Sequence, residues 1–335
     1  MPSFRTGVVT AIVSERTGLQ RVEVDGEHAY VLTQLVGPVA LGDRVVMNTT
    51  AVDLGLGTGG SHVVHWNLAR ESWAQAGPGH IMKLRYTSLQ VDTGAAEELG
   101  SFASAPSLAG SPVVVCGLHS QVACVAATFK HAAPHRRLTY VMTDGGALPL
   151  ALSDLVADLR ATSLLDATVT CGHAFGGDFE AVNLHSALQV ADAMTGADAL
   201  VVATGPGVVG TGTGTGTSAM EAATTIDTVR ALGGRPVAVV RYSDADARAR
   251  HRGVSHHTVT ALGCAHSRAF VAVPVGEPSP DVGDHEVVPV EVPDMSALLA
   301  SHGLRVTTMG RGPDADPGFF RYAGAGGVAA AALLG

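Results

Sequence analysis

Lysine is almost absent from this chain, which contains only Lys83 and Lys130 among its 21 lysine and arginine residues. A P-loop protein or a Schiff-base enzyme needs a lysine at its site, so one of these two would have to serve. Neither residue follows a Gly-rich loop in the way that a P-loop lysine does. The scarcity of lysine therefore argues against a P-loop NTPase.

Charged residues are also scarce, at 15% of the chain compared with about 25% in an average soluble protein. Acidic residues outnumber basic ones by 30 to 21, and the net charge of −9 argues against bulk electrostatic binding to nucleic acid or to an anionic membrane. Hydrophobic residues make up 46% of the 335 positions. This share suffices for a packed core and, with the low charge, excludes a disordered chain or a coiled coil. The length predicts two domains or one large one.

Long apolar runs and paired cysteine motifs are missing as well. The segment from Met1 to Gln20 alternates apolar and polar residues and lacks the apolar core of a signal peptide. No apolar run reaches the roughly 18 residues of a transmembrane helix, and the four cysteines are widely spaced without a CxxC motif. These absences predict a cytoplasmic protein, outside the membrane, whose thiols are reduced and buried.

Residues 1–70 have the pattern of short β-strands and are predicted to form a small N-terminal β-barrel-like domain. The predicted strands include 6–14, 19–24, 28–33 and 44–48. Asp25-Gly26 is typical of a hairpin turn between the second and third of them. The segment lacks the basic and aromatic face with which such barrels bind oligonucleotides, so a structural or dimerising role is favoured. A dimerising role would make the protein a homo-oligomer.

Residues 71–110 show little periodicity and are predicted to be an irregular connector, with 101–112 as a Pro-containing linker. From residue 111 onwards, apolar runs of strand length alternate with helical stretches. These runs lie at 112–116, 138–142, 167–171, 199–203, 236–240 and 269–273. This pattern predicts a Rossmann-like α/β domain over residues 111–335, with a doubly wound, mostly parallel sheet.

Polar residues follow several of these strands, and in an open parallel sheet ligands bind at the carboxyl ends of the strands. His119 follows the first strand, Asp144 the second and His173 the third, and His256 lies in the segment after the fifth. These four are the candidate catalytic residues, as acid–base groups or as groups that hold a ligand. The alternatives are histidines that hydrogen-bond within loops and, for Asp144, an Asx-turn.

A loop of alternating glycine and threonine follows the fourth strand at residues 205–217, and a helix is predicted from Ser218. Glycines let backbone N–H groups converge on an anion, and the N-terminus of a helix adds positive potential. The predicted binding residues are Gly205, Gly207, Gly210, Thr211, Gly212, Thr213 and Gly214. The loop formally matches GxGxxG, but the helix begins about eight residues too late for a dinucleotide site. Phosphate or carboxylate binding is favoured, and a flexible structural loop is the alternative.

The densest basic cluster follows the fifth strand and contains Arg248, Arg250, His251 and Arg252. Arg248 and Arg250 are predicted to hold the same anion, for example the phosphate of a nucleotide. The alternative is an exposed face that nearby aspartates partly neutralise. Lys83 and Arg85 are expected either to reach the same cleft or to form an interdomain strap with exposed charges.

The polar strand ends also suggest a divalent metal ion, and His119, His173 and Asp178 are its predicted ligands, together with His256 or His257. Chain neighbours such as His256 and His257 are expected to point in different directions, so that only one faces the site. No HExxH or comparable spacing occurs, and hydrogen-bonding histidines are the simpler alternative. A bound ion would lower the pKa of its water and supply a nucleophile for hydrolysis.

Several of these segments together resemble a bacterial family catalogued as domain of unknown function 3866. The matching segments are 79–87, 119–121, 140–149, 170–183, 205–214 and 248–258. Members of that family tend to close the Gly/Thr loop with a Gly-Phe pair, whereas Thr217-Ser218-Ala219 stands here. This departure concerns the packing of the loop more than its backbone donors. The resemblance implies a bacterial cytosolic protein without an established activity.

Three functional hypotheses follow. The first is a protein that binds a small anionic metabolite at the carboxyl edge of the sheet, with or without catalysis. The second is a non-catalytic binding or assembly module. The third is a metal-dependent hydrolase that acts on the anion held by the Gly/Thr loop.

Overall fold

A computed structural model describes residues 1–57, 59–99 and 107–335 of the chain. These residues form two compact units, Met1–Gly94 and Ala95–Gly335. Part of the predicted linker, residues 101–106, lies outside the described residues.

The first unit contains a closed barrel. Its strands are β1 (Phe4–Arg16), β2 (Leu19–Val24), β3 (Glu27–Leu32), β4 (Arg44–Asn48) and β5 (His62–Asn67). They pair in the order β1-β2-β3-β5-β4 around a core of inward-facing valines and Met47. Asp25 and Gly26 both have positive φ, 51° and 83°, as a two-residue hairpin turn requires. The predicted barrel is therefore confirmed.

Short elements complete the first unit. They are the helices α1 (Thr33–Val36) and α2 (Thr50–Asp53) and the paired strands β6 (Met82–Lys83) and β7 (Val91–Asp92). A 3₁₀ turn at Ala96–Glu98 begins the second unit.

The second unit is built on a parallel sheet of eight strands. They are β8 (Pro112–Val115), β9 (Leu138–Thr143), β10 (Ala167–Cys171), β11 (Phe179–Ala181), β12 (Ala199–Thr204), β13 (Arg235–Val239), β16 (Phe270–Pro274) and β17 (Glu286–Val290). Their order is β11-β10-β9-β12-β8-β13-β16-β17, and every pair is parallel. Two further strands, β14 (Tyr242–Ser243) and β15 (Gly253–Val254), pair with each other. The prediction of a doubly wound α/β fold is confirmed.

Helices cover both faces of this sheet. They are α3 (Gln121–Ala132), α4 (Asp154–Ala161), α5 (Leu184–Thr195), α6 (Glu221–Ala231), α7 (His256–Cys264), α8 (Met295–Ser301) and α9 (Pro317–Ala332). Helices α3, α4, α8 and α9 pack on one face, and α5, α6 and α7 on the other. In β8, Val114 packs towards the first face while Val113 and Val115 pack towards the second. Burial on both faces explains why the strands read as continuous apolar runs.

Two predictions about the chain as a whole can be compared with this fold. No helix in the described ranges combines the length and the apolar character that a bilayer crossing requires. Cys116, Cys124 and Cys171 are buried, but Cys264 is exposed. The prediction of buried thiols is therefore wrong for Cys264, which is the last residue of α7 and lies where that helix leaves the core.

Candidate functional site

The carboxyl edge of the parallel sheet has a switch point between β8 and β12, which are neighbours in the sheet. The chain leaves β8 into α3 on one face and leaves β12 towards α6 on the other. Where neighbouring strands send their connections to opposite faces, the loops diverge and leave room for a ligand. The candidate site surrounds these two strand ends.

An apolar pocket opens at this edge on the side of α6 and α7. Val115, Ile226 and Leu262 belong to its apolar wall. Arg241, which follows β13, and His257, in the first turn of α7, are its main polar groups. Arg241 Nη1 donates a hydrogen bond to His257 Nδ1 over 3.2 Å. A guanidinium cannot accept, so neutral His257 carries its proton on Nε2.

Guanidinium groups outnumber carboxylates around Arg241. The buried Asp246 accepts two hydrogen bonds from the guanidinium of Arg248, of 3.0 and 2.8 Å, and lies 3.8 Å from both Arg241 and Arg311. Arg311 also pairs with Asp316 at 3.0 Å. Burial and then repulsion by Arg248 lower the pKa of Arg241 to about 10. The Arg241 side chain is only 11% exposed. A cation held among other cations leaves a positive potential that an anion would neutralise.

The Gly/Thr loop folds back on itself as a small hairpin. The N–H of Thr211 donates to the carbonyl of Gly216 over 2.8 Å, and Gly210 pairs with Thr217. Thr213 Oγ1 accepts from the N–H of Gly216 over 3.1 Å. Residues 211–215 are exposed, and a 3₁₀ turn at Ser218–Met220 leads into α6. The tip of the loop, which includes Gly214, is thus presented to solvent.

Arg250 brings the basic cluster to this tip. A Cβ at Gly212, whose φ is +87°, would lie 3.7 Å from Nη2 of Arg250. Gly205 has a different environment, because a Cβ there would collide with the carbonyl oxygen of Ala147. The close packing of the Gly/Thr loop against the loop that contains Ala147 therefore requires glycine at position 205. Gly212, by contrast, lies beside Arg250, where the loop and this arginine could contact the same ligand. Gly207, also predicted to bind, lies on the exposed stretch between Gly205 and Gly212.

A second, smaller pocket adjoins the first and shares Gly117, Ala219 and Ala222 with it. Thr143 Oγ1, Thr204 Oγ1 and Glu221 Oε2 lie at this pocket, and within the described parts of the chain these buried atoms have no hydrogen-bond partner. Burial raises the pKa of the Glu221 carboxyl. Buried polar atoms nearly always have partners, so the three atoms mark a place for a polar ligand group or ordered water.

His119 is buried, and both of its ring nitrogens have protein partners. Nδ1 lies 3.2 Å from the carbonyl oxygen of Thr204, and Nε2 lies 2.7 Å from Oγ of Ser153. Because a carbonyl only accepts, Nδ1 donates and Nε2 accepts from the serine. Burial lowers the pKa of His119 to about 4. These contacts support the hydrogen-bonding alternative for His119. The lone pair of Nε2, the one that a metal ion could take, already accepts from the Ser153 hydroxyl.

Asp144 and His173 meet through the backbone of His173. Oδ2 of Asp144 accepts from the N–H of His173 over 3.1 Å. The carboxylate therefore ties the loop after β9 to the loop after β10. This contact supports a role of Asp144 in ordering the loops, in the manner of the predicted Asx-turn, rather than a role as a base.

Asp178 lies far from the end of β10. Its carboxylate accepts from the N–H and the hydroxyl of Thr168 over 2.8 and 3.1 Å and pairs with Arg160 at 3.2 Å. Thr168 is near the start of β10, roughly 10 Å along the strand from its carboxyl end. The structure thus does not bring Asp178 together with His119 and His173 as ligands of one ion.

A different group of histidines does come together. His251, His256 and His257 each offer a nitrogen within 4.8 Å of the other two, and in the described ranges this is the one such group of three or more potential ligands. The rings of His256 and His257 are 4.3 Å apart, contrary to the expectation that they diverge. Both residues start α7, and the ring of His251 packs against both of theirs, at 4.9 and 4.7 Å.

Lys83 and Arg85 belong to the first unit. Lys83 is 1% exposed, so the alternative of a strap with exposed charges fails for this residue. The guanidinium of Arg85 donates to the carbonyl of Met82 over 3.4 Å. Their predicted role in the cleft stays a prediction.

Glu221, Thr143 and Thr204 were not predicted as site residues from the sequence. Arg241 was identified there only as the residue that follows a strand. A positional signal was available for each of them. Thr143 and Thr204 end β9 and β12, and Glu221 begins α6. At the carboxyl edge of a parallel sheet, the last strand residue and the first helical turn are both near the ligand.

The fold is that of an α/β protein in which a closed five-stranded barrel precedes the parallel sheet along the chain. The candidate site lies at the carboxyl edge of that sheet. The chain belongs to the family described as "Protein of unknown function (DUF3866)", whose model matches residues 28–327. The resemblance drawn from the sequence is thereby confirmed. Comparison with curated proteins and with solved structures produced no match.

Proposed function

We propose that this protein binds a small anionic metabolite, bearing a phosphate or a carboxylate and with nucleotides included, at the carboxyl edge of its parallel sheet. Arg241 in the apolar pocket and Arg250 at the tip of the Gly/Thr loop are the proposed anchors. The first turn of α7, capped by Ser255, adds the positive potential of a helix N-terminus.

The proposal rests on one observation, the surplus of guanidinium charge at Arg241. Burying a cation costs free energy unless an opposite charge accompanies it. Arg311 pairs with Asp316 at 3.0 Å, so Asp246 is the carboxylate left to Arg241 and Arg248, and within the described ranges Arg250 pairs with no carboxylate. A bound anion would supply the missing negative charge and would be held by charge-assisted hydrogen bonds.

Thermal unfolding in the presence of sulfate, phosphate or citrate tests the proposal. A ligand present at 100 times its Kd stabilises the folded state by about 2.7 kcal/mol. Sulfate also stabilises proteins without a site, so the variants decide the result. Arg250→Met, which removes an exposed side chain, should lose much of the anion effect, whereas Arg305→Met, which removes an equal charge elsewhere, should keep it. Equal responses of the two variants would refute the proposed anchor.

Glu221 favours an enzyme over a non-catalytic module. A carboxyl whose pKa burial raises, beside a cleft, is a candidate group for proton transfer. Wild type and Glu221→Gln can be compared on a panel of phosphate esters and activated carboxylate esters. If the protein is an enzyme, Glu221→Gln should lose turnover and keep the stabilisation by anions. A binding or assembly module would turn over none of these compounds.

The cytoplasmic location, the bacterial origin and the homo-oligomer expected from the sequence stay predictions. Gel filtration with light scattering tests the last of these directly.

A further inference from the structure

The imidazoles of His251, His256 and His257 face one another at distances suited to a shared ligand. Their nearest nitrogens lie within 4.8 Å of one another. In a tetrahedral zinc site the ligand nitrogens are roughly 3.4 Å apart, so an ångström of inward movement would complete the geometry. We propose that these three histidines bind one divalent transition-metal ion of the zinc class. Of the ligands predicted from the sequence, this set keeps His256 and His257 and contains none of His119, His173 and Asp178.

The surroundings of two of the rings are already those of metal ligands. Nδ1 of His251 lies 2.8 Å from Oγ of Ser255, and donation to that oxygen leaves the lone pair of Nε2 for an ion. Nε2 of His256 is buried and has no hydrogen-bond partner within the described part of the chain. An ion coordinated through Nε2 of each ring would satisfy both nitrogens at once.

His257 must exchange a partner to complete the site. Its Nδ1 accepts from Arg241 over 3.2 Å. In that state the neutral ring carries its proton on Nε2, and neither nitrogen offers a free lone pair. Coordination of His257 therefore competes with the hydrogen bond from Arg241.

The charges around the group set its metal preference and its strength. Burial and the nearby arginines lower the pKa values of His251 and His257, to about 3 and about 4, so that both rings are neutral at pH 7. Three imidazoles without a carboxylate suit zinc, cobalt or copper better than magnesium or calcium. Arg241, Arg248 and Arg250 oppose a dication, and modest affinity is expected without an anion nearby. The three-histidine set leaves a coordination position open for water or for the anion.

Titration of untagged, metal-stripped protein with Co²⁺ tests the site, because four-coordinate cobalt absorbs visible light and its content can be measured directly. Wild type should bind one ion per chain. His256→Ala should weaken binding more than about 100-fold, since loss of an outer partner alone costs about 10- to 100-fold. His266→Ala, which removes an exposed histidine just beyond α7, is the matched control. His256→Gln serves as a second variant if the alanine variant unfolds early.

Arg241→Met distinguishes this proposal from the proposed anion site. The variant removes both the competing donor and a nearby positive charge, so Co²⁺ should bind at least about threefold more tightly. The same variant should lose stabilisation by sulfate. Equal Co²⁺ binding by wild type and His256→Ala, or weaker binding by folded Arg241→Met, would overturn the metal site. Loss of the sulfate effect alone bears only on the anion site.

Discussion

The carboxylate of Glu221 occupies the space in which a side chain at Gly145 would begin. A Cβ on Gly145 would lie 2.6 Å from Oε2 of Glu221 and 2.8 Å from Cγ2 of Thr204. The glycine after β9, the threonine that ends β12 and the first residue of α6 are thus fitted to one another. Thr204 and Glu221 line the polar pocket, where Oγ1 of Thr204 and Oε2 of Glu221 have no hydrogen-bond partner among the described residues.

Gly145→Ala should therefore destabilise the protein. Overpacking a close contact of this kind typically costs about 1–3 kcal/mol, and urea unfolding measures the loss. Gly214→Ala is the control, because a Cβ at Gly214 would meet nothing within 4 Å. Equal stabilities of the two variants would contradict the close fit between Gly145 and Glu221.

Glu221→Gln should gain stability relative to wild type as the pH rises. The pKa of Glu221 is raised above its ordinary 4.5, so the folded state binds this proton more tightly than the unfolded chain does. Folding stability therefore falls as the pH rises from about 4.5 through the raised pKa. Glutamine has no proton to lose in this range. Urea unfolding of both proteins at pH 4, 6 and 8 checks the trend, and a constant difference would contradict the buried carboxyl.

His119 should make the protein sensitive to mild acid. Its pKa falls from 6.5 to about 4 on folding, so between these values the unfolded chain binds more protons and stability rises with pH. From pH 7 to pH 5 this one group should remove about 2 kcal/mol of stability. His119→Gln should be less stable at pH 7 but lose less on acidification. His135→Gln, at an exposed position, should keep the wild-type slope.

The contact between α3 and α9 should tolerate no side chain at Gly327. A Cβ there would collide with the carbonyl oxygen of Val125 and the hydroxyl of Thr128, and the former belongs to fixed helix backbone. Gly327→Ala should cost about 1–3 kcal/mol. Gly263→Ala in α7, where the space is open, should instead gain roughly 0.5–1 kcal/mol from the helix preference of alanine. Thermal or urea unfolding of the pair separates the close contact from helix propensity.

Local patterns in the sequence predicted much of the architecture. The Asp25-Gly26 turn and its alternating flanks indicated the barrel hairpin, because two-residue turns need positive φ and half-buried strands alternate. The apolar runs from 112–116 onwards indicated a buried parallel sheet, because helices cover both faces of such strands. The Gly/Thr loop was expected between a strand and a helix, where the structure has it. Each of these features depends on residues close together along the chain.

The sequence by itself determined which residues end strands, begin helices and carry charge; only the tertiary structure decided which of them meet. His119 and His256 both appear in polar segments after strands, yet one is enclosed by Thr204 and Ser153 and the other faces His251 and His257. Sheet order placed β12 beside β8, which brought Glu221 to the switch point and left Asp178 beside the start of β10. That order depends on long-range packing of strands and crossover helices, and the periodicity of a single segment carries no record of its neighbours.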